Sequence, residues 1–341
     1  MNLNILNSTA RDLVKSGKGI LAADESTGTI EKRFKSIDVA NTEPNRQAYR
    51  EMLLDAQGLE NYISGVIFYD ETLRQSSKKG EKFPDLLKRK GIIPGIKVDA
   101  GIHDLPGHPE EKVTEGLDGL RKRLTEYKAL GARFAKWRAV YSISATLPSA
   151  ACIRANAEGL ARYAALCQEQ DIVPIVEPEI LMDGTHTIER CEQVFNEVLP
   201  EVFSALRIHG VALEGILLKP GMVISGKECP KQASSKEVAE ATLRTFRRHV
   251  PGAVPGIVFL SGGQSSVTAT ENLNAINACG PQPWPLSYSY GRALQDDALK
   301  AWKGQSANEG AGRNALLLRS KCNSAASQGK YSGSLEKAAA G

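Results

Sequence analysis

Eight short β-branched or apolar runs, bounded by Gly, Pro or Asp, recur along the chain. They are GILAAD from Gly19, ISGVIFYD from Ile63, IIPGIKVD from Ile92 and ARFAKWR from Ala132. VPIVEPE from Val173, GILLKP from Gly215, GIVFLSGG from Gly256 and WPLSYSYG from Trp284 complete the set. Between most of them lie stretches such as LDGLRKRLTEYKALG, ANAEGLARYAALCQEQ, TIERCEQVFNEVLPEVFSALRIHG and SSKEVAEATLRTFRRHV. Their apolar residues fall three and four apart, which predicts helices. The runs start about every 38 residues, the spacing of a strand, a helix and two loops. Strand–helix alternation repeated eight times predicts an α/β fold, a single (β/α)8 TIM barrel. An open doubly wound sheet alternates in the same way and is the structural competitor. Residues 1–341 are read as one domain, with a short non-barrel tail from about 320.

Polar positions at the ends of these runs favour the barrel. Residues two apart in a strand share a face. Phe134, Lys136 and Arg138 therefore share one, as do Val173, Ile175, Glu177 and Glu179. So do Leu217 and Lys219, and Lys97 and Asp99, while GILAAD ends on Asp24. On five strands the beginning is apolar and the C-terminal end ionisable. In a barrel those ends converge on the face that carries active sites.

Composition then narrows the class. Of 341 residues, 42% are hydrophobic and 24% charged, which excludes a disordered or collagen-like chain. Forty-three basic against 39 acidic residues give a net charge of +4. That excess is too small for a dedicated nucleic-acid binder and compatible with an anionic small molecule. MNLNILNSTARDLVKSGKG has no basic segment followed by an apolar one, so no secretory signal is read. The longest uncharged run, Val250 to Thr270, is too rich in Gly and Pro for a membrane span. Six cysteines (152, 167, 191, 229, 279, 322) lie 15 to 50 residues apart without a CxxC. Neither a disulfide scaffold nor a thiolate zinc site is expected, and the simple reading is a reduced cytoplasmic protein. The cysteines read as small buried or half-buried hydrophobes, and Trp137, Trp284 and Trp302 as packing residues.

Lys97, Lys136, Lys219, Asp24, Glu177, Glu179 and Arg138 would crowd one mouth. Crowding of lysines against apolar walls is expected to lower the pKa of at least one. A neutral amine is the nucleophile that forms a Schiff base with a ketone. Lys219 is the best candidate, since it ends a fully apolar strand and precedes Pro220. Glu177 and Asp24 are placed to shuttle protons during dehydration. LSGGQSS, from Leu260, offers glycine N–H groups and the Ser261 hydroxyl to a phosphate, and SYSYGR adds the fork of Arg292. Phosphate sites after strands seven and eight are a recurrent barrel arrangement. DESTGTIEKRF places Ser26, Thr29 and Arg33 where they could hold a second phosphate, and it reads equally well as a helix-capping turn.

LAADESTG, GIKVD, FAKWR, VEPE, LLKPGM, FLSGGQS and SYGRALQ, in this order, resemble the signature series of class I fructose-1,6-bisphosphate aldolase. The match runs from about Gly17 to about Tyr331. The resemblance implies a metal-free Schiff-base lyase without cofactor, acting in glycolysis and gluconeogenesis. It would cleave fructose 1,6-bisphosphate reversibly to dihydroxyacetone phosphate and glyceraldehyde 3-phosphate.

Carried over by position, Lys219 matches the Schiff-base lysine and Glu177 the general acid/base. Asp24 matches the carboxylate near the scissile bond, and Lys136 the charge that supports iminium chemistry, with Glu179 and Arg138 organising the site. Ser261, Gly262 and Arg292 would bind the C1 phosphate. Lys97, Ser26, Thr29 and Arg33 would lie towards the C6 phosphate; the family commonly has serine at Thr29.

The resemblance also implies a cytoplasmic homotetramer, without nucleic-acid or membrane partners. Some members bind the cytoskeleton or membrane pumps, but no surface for this is legible here. Eukaryotic members end in a tail with a terminal tyrosine, whereas this chain stops at Gly341 after YSGSLEKAAAG. Either the chain is truncated or it resembles the tailless bacterial enzymes. Tyr331 matches the element before the tail and is not its equivalent.

Two chemical rivals fit less well. A metal-dependent class II aldolase needs clustered ligands, but His103, His108, His186, His209 and His249 show no HxxH or HExxH spacing. Only His103 and His108 are close, in a segment that reads as a loop. Transaldolase is also a Schiff-base barrel, but two phosphate sites argue for a bisphosphate.

Overall fold

The computed structural model describes residues 1–337. In chain order the strands are β1 (Gly19–Ala23), β2 (Ile63–Phe68), β3 (Ile93–Lys97), β4 (Gly101–Asp104) and β5 (Lys112–Glu115). They continue with β6 (Phe134–Tyr141), β7 (Val173–Ile180), β8 (Leu217–Leu218), β9 (Ile257–Phe259) and β10 (Leu286–Tyr290). All but β4 and β5 form one closed barrel, each strand lying parallel to its chain neighbours. The last closes on the first, with Ile20 opposite Ser289 and Leu21 opposite Tyr290. That closure rules out the open sheet. All eight apolar runs are barrel strands, and the four helical stretches become Leu120–Ala129, Ala150–Glu169, Ile188–Ile208 and Ser235–His249.

Parallel strands covered on both faces read as apolar runs because both faces are buried. Alternate side chains divide between two cores. Leu21, Val66, Ile96, Trp137, Val176, Leu218 and Phe259 point out and pack under the surrounding helices. Ile20, Ala22, Ile67, Phe134, Val173, Ile175, Leu217 and Val258 point in and fill the barrel. The helix Leu3–Leu13 closes the N-terminal end of this inner core with Leu6, Ala10 and Leu13, which share one face. Asn2 caps it through its side chain. The barrel is thus solid below and open only at the C-terminal ends of its strands.

Phe134 fills the axis at a steric cost to its neighbours. A Cβ on Gly95 would stand 2.3 Å from its ring, and one on Gly65 would stand 3.1 Å from it. Gly95 must therefore be glycine for the ring to lie across the barrel, while a Cβ on Gly65 would first meet Leu13, at 2.6 Å.

The β4–β5 hairpin is an addition that the pattern along the chain did not predict. Its segment carries His103 and His108 and reads as a loop, because β4 is mostly exposed and has no apolar alternation. Backbone pairing joins its strands, extended by the Ala100 N–H donating to the Glu115 carbonyl at 2.8 Å, and the Thr114 hydroxyl ties it to the barrel by donating to the Arg138 carbonyl at 2.7 Å.

Five cysteines are buried as expected, but Cys279 is exposed. It caps the C-terminal end of the helix Ser266–Ala278. The three tryptophans are buried. Residues from about 320 continue the helix Glu309–Ala326, which packs against Ser266–Ala278 and Arg292–Trp302, before the short helix Ser334–Lys337. The end of the tail, 338–341, lies outside the described residues. Among the described residues no helix is long and apolar enough to cross a membrane.

Gly95→Ala is expected to destabilise the protein by about 1–3 kcal/mol through overpacking against Phe134. Urea denaturation checks this, and adding Phe134→Leu should recover part of the loss; equal stability of the single variant and the parent would refute it.

Candidate active site

The strands deliver their polar ends at one level. Lys136 stands opposite Ile175 and Lys97, and Arg138 opposite Glu177, in the ladders that β6 makes with β7 and β3. Lys219 follows β8 directly, and its N–H continues the ladder by donating to the Val176 carbonyl at 2.8 Å. Asp24 follows β1, the Ser261 loop follows β9, and Arg292 opens a helix after β10. A pocket of about 530 Å³ occupies this mouth. Every candidate residue borders it: Asp24, Ser26, Thr29, Arg33, Lys97, Lys136, Arg138, Glu177, Glu179, Lys219, Ser261, Gly262 and Arg292.

At its floor the charges form a lattice. Lys136 Nζ lies 2.8 Å from Asp24 Oδ2, 3.4 Å from Glu177 Oε2 and 4.0 Å from Asp99 Oδ2. Lys219 Nζ lies 3.1 Å from Glu177 Oε1, so one carboxylate spans both lysines. Glu177 Oε2 is buried and accepts no hydrogen bond from the described residues. Arg138 pairs with Glu179, and Lys97 with Asp99.

Burial draws Lys136 down, but Asp24, Glu177 and Asp99 outweigh it and hold the ammonium well above the ordinary lysine range. Lys136 is thus not a lysine that crowding makes neutral, because three carboxylates surround it. Burial pushes Asp24 up, but Lys136, Lys219 and Lys97 overcome that and hold it well below the usual carboxylate range. Glu179 is lowered too: burial opposes this, and Arg138 outweighs it.

Two flanks of the pocket suit anions. On one, Gly262 (φ +59°) and Gly263 (φ +91°) turn the chain after Ser261 in the left-handed region. A Cβ on Gly263 would stand 3.4 Å from Arg292 Nη2, so loop and guanidinium share this flank. On the other, Ser26 begins the helix Thr27–Lys35, yet its hydroxyl caps no N–H and lies 3.1 Å from Thr29 Oγ1. The helix thus starts without the side-chain cap that the sequence suggested, and its N-terminus carries positive partial charge that suits an anion. Arg33 does not extend freely into solvent. It pairs with Glu25 at 2.5 Å, beside Gly291.

Glu25 and Asp99 are missing from the sequence-based set. Glu25 is buried and receives Arg33, Arg50 and the Gln295 amide, the last at 2.8 Å. Strict alternation from Asp24 would send Glu25 outward, but β1 has ended at Ala23, and Arg50 comes from a distant helix. No local signal reveals it. Asp99 was legible, because GIKVD puts it on the face of Lys97. Tyr331 does not border the pocket; its hydroxyl donates to Glu336 at 2.8 Å. Among the described residues no group of three or more His, Cys, Asp or Glu could hold a metal ion.

A closed parallel barrel with buried lysines, carboxylates and anion-binding flanks at its C-terminal mouth defines a barrel enzyme acting on a phosphorylated small molecule. A family model described as fructose-bisphosphate aldolase class-I matches residues 5–341. The chain is 54% identical to a probable fructose-bisphosphate aldolase class 1 of Xanthomonas axonopodis pv. citri, covering 98% of this chain and 100% of that one. It is 55% identical to fructose-bisphosphate aldolase 1 of Toxoplasma gondii, over 96% and 91% of the two chains. Among solved structures it resembles fructose-bisphosphate aldolase from Plasmodium falciparum, in a ternary complex with TRAP and a small-molecule inhibitor. The TM-score is 0.96 at 52% identity, covering 97% of this chain and 96% of that one. The chain belongs to the class I fructose-bisphosphate aldolase family. It is a lyase that cleaves fructose 1,6-bisphosphate reversibly through the Schiff-base mechanism general to that class.

The lowered carboxyls of Asp24 and Glu179 stabilise the fold above about pH 4 and lose that contribution as pH falls. The raised Lys136 contributes below about pH 10.4 and loses it as pH rises. Thermal stability should therefore be greatest between about pH 5 and pH 9. Lys136→Met removes the nearest cation from Asp24, so its acid limb should move to higher pH in melts followed by circular dichroism. An unmoved acid limb would contradict the assignment.

Proposed function

We propose that Lys219 is the Schiff-base nucleophile of this aldolase and Glu177 its general acid/base. The observation that carries this reading is the buried chain Lys219, Glu177, Lys136, Asp24, in which Glu177 spans both lysines. Lys136 has three carboxylates within 4.0 Å and is fixed as an ammonium, while Lys219 has only Glu177. The nucleophile's role therefore falls to Lys219, and Lys136 supplies positive charge beside it.

The neutral amine of Lys219 attacks the C2 carbonyl, giving a carbinolamine. Glu177, 3.1 Å from the Lys219 nitrogen, donates the proton with which water leaves. The iminium then accepts the electron pair of the C3–C4 bond as the C4 hydroxyl loses its proton, to Glu177 or through Asp24. Glyceraldehyde 3-phosphate departs and leaves an enamine. Protonation at C3 and hydrolysis release dihydroxyacetone phosphate and restore Lys219. Glu179 and Arg138 hold one another at the rim. Ser261, Gly262 and Arg292 hold the C1 phosphate; Lys97, Ser26, Thr29 and Arg33 lie towards the C6 phosphate. The chain is read as one domain working as a cytoplasmic homotetramer.

Dihydroxyacetone phosphate and borohydride, in excess EDTA, should leave a single adduct on Lys219 by intact mass and peptide mapping. Lys219→Met should abolish trapping while the protein remains folded; an adduct on another lysine would overturn the assignment.

A further inference from the structure

Asp99 follows β3 by two residues, is buried, and does not border the pocket. Its polar atoms nevertheless converge on groups that do. Oδ1 pairs with Lys97 Nζ, and its backbone carbonyl accepts from the same ammonium at 2.9 Å. Oδ2 accepts from the Arg138 backbone N–H at 3.3 Å and lies 4.0 Å from Lys136 Nζ. An ammonium has three N–H donors. Asp99 takes two of those on Lys97 and leaves one for a ligand.

The turn that carries Asp99 is itself braced. Arg123 donates to the Val98 carbonyl at 2.9 Å and to the Gly116 carbonyl at 2.5 Å. The Val98 N–H donates to the Lys136 carbonyl at 3.0 Å, and the Ala100 N–H to the Glu115 carbonyl at 2.8 Å. A flexible lysine loses rotamer freedom when it is held. Here that loss is met within the fold, before a substrate arrives.

We infer that Asp99 is a positioning residue for the distal phosphate: by clamping Lys97 it sets the preference for a sugar bisphosphate over a sugar 1-phosphate. This rests on the reading of Lys97 as a ligand of the C6 phosphate. Asp99 touches no substrate and acts through Lys97. Its proximity to Lys136 would affect any substrate that reacts through C2, so a ratio of two substrates isolates the clamp from the shared chemistry.

The test is the ratio of kcat/KM for fructose 1,6-bisphosphate to that for fructose 1-phosphate, in the parent, Asp99→Asn, Asp99→Glu, Lys97→Met and Asp99→Asn/Lys97→Met. Asp99→Asn should lower the ratio about tenfold, chiefly through KM for the bisphosphate. Asp99→Glu keeps the charge and should lower it less; it carries the test if the asparagine variant does not fold. The double variant should match Lys97→Met alone, since residues acting as one unit are not additive. The inference is overturned if Asp99 variants slow both substrates equally, leave the ratio unchanged, or add their effect to that of Lys97→Met. An unmoved ratio in Lys97→Met refutes the underlying phosphate assignment as well. A ratio moved by Lys97→Met but not by either Asp99 variant refutes only the clamp.

Discussion

The charge lattice at the mouth is what the rest of the structure serves. Lys97, Lys136, Arg138 and Lys219 meet Asp24, Asp99, Glu177 and Glu179 in a region largely withdrawn from water. A buried charge is tolerable only when it is paired and hydrogen-bonded. Every one of these groups has an opposite charge within 4.0 Å. They come from five strand ends, so their pairing demands that β1, β3, β6, β7 and β8 finish at matching heights. Strand register and ion pairing are therefore one constraint.

A lattice of this kind needs a floor that does not yield. Phe134 lies across the axis one pleat below Lys136, and Gly65 and Gly95 leave it room. The helix Leu3–Leu13 seals the opposite end. With the barrel filled, the charged side chains can extend only towards the mouth. Their neighbours hold them there, as pre-organised catalysis requires. Glu25 extends the same logic outward. Anchored by Arg50 and Gln295, it fixes Arg33 on the rim beside Gly291.

The two anion-binding flanks differ in construction. The Ser261 loop and Arg292 follow neighbouring strands and meet across backbone that only glycine adopts readily. The Ser26 flank instead relies on a helix N-terminus and on Lys97, whose reach is limited by Asp99. In the proposed reading a sugar carrying phosphate at both ends spans them, with the reacting carbons over Lys219 and Glu177.

Much of this was written locally along the chain. Short apolar runs located all eight barrel strands, and period-two spacing put Lys97, Lys136, Glu177 and Lys219 on inward faces, because a strand's side-chain period survives any tertiary arrangement. The Gly262–Gly263 pair marked one flank, since backbone geometry there restricts residue type, and the hydroxyls of Ser26 and Thr29 with Arg33 marked the other. Three things needed the folded chain. The β4–β5 hairpin is held by hydrogen bonds that leave no apolar trace. The Glu25 cluster joins Glu25, Arg50 and Gln295 from remote segments. The raised pKa of Lys136 depends on three carboxylates brought from β1, β3 and β7. Sequence determines which face a charge occupies; only the closed barrel decides which opposite charges it meets, because Coulomb energy depends on distances that no single strand contains.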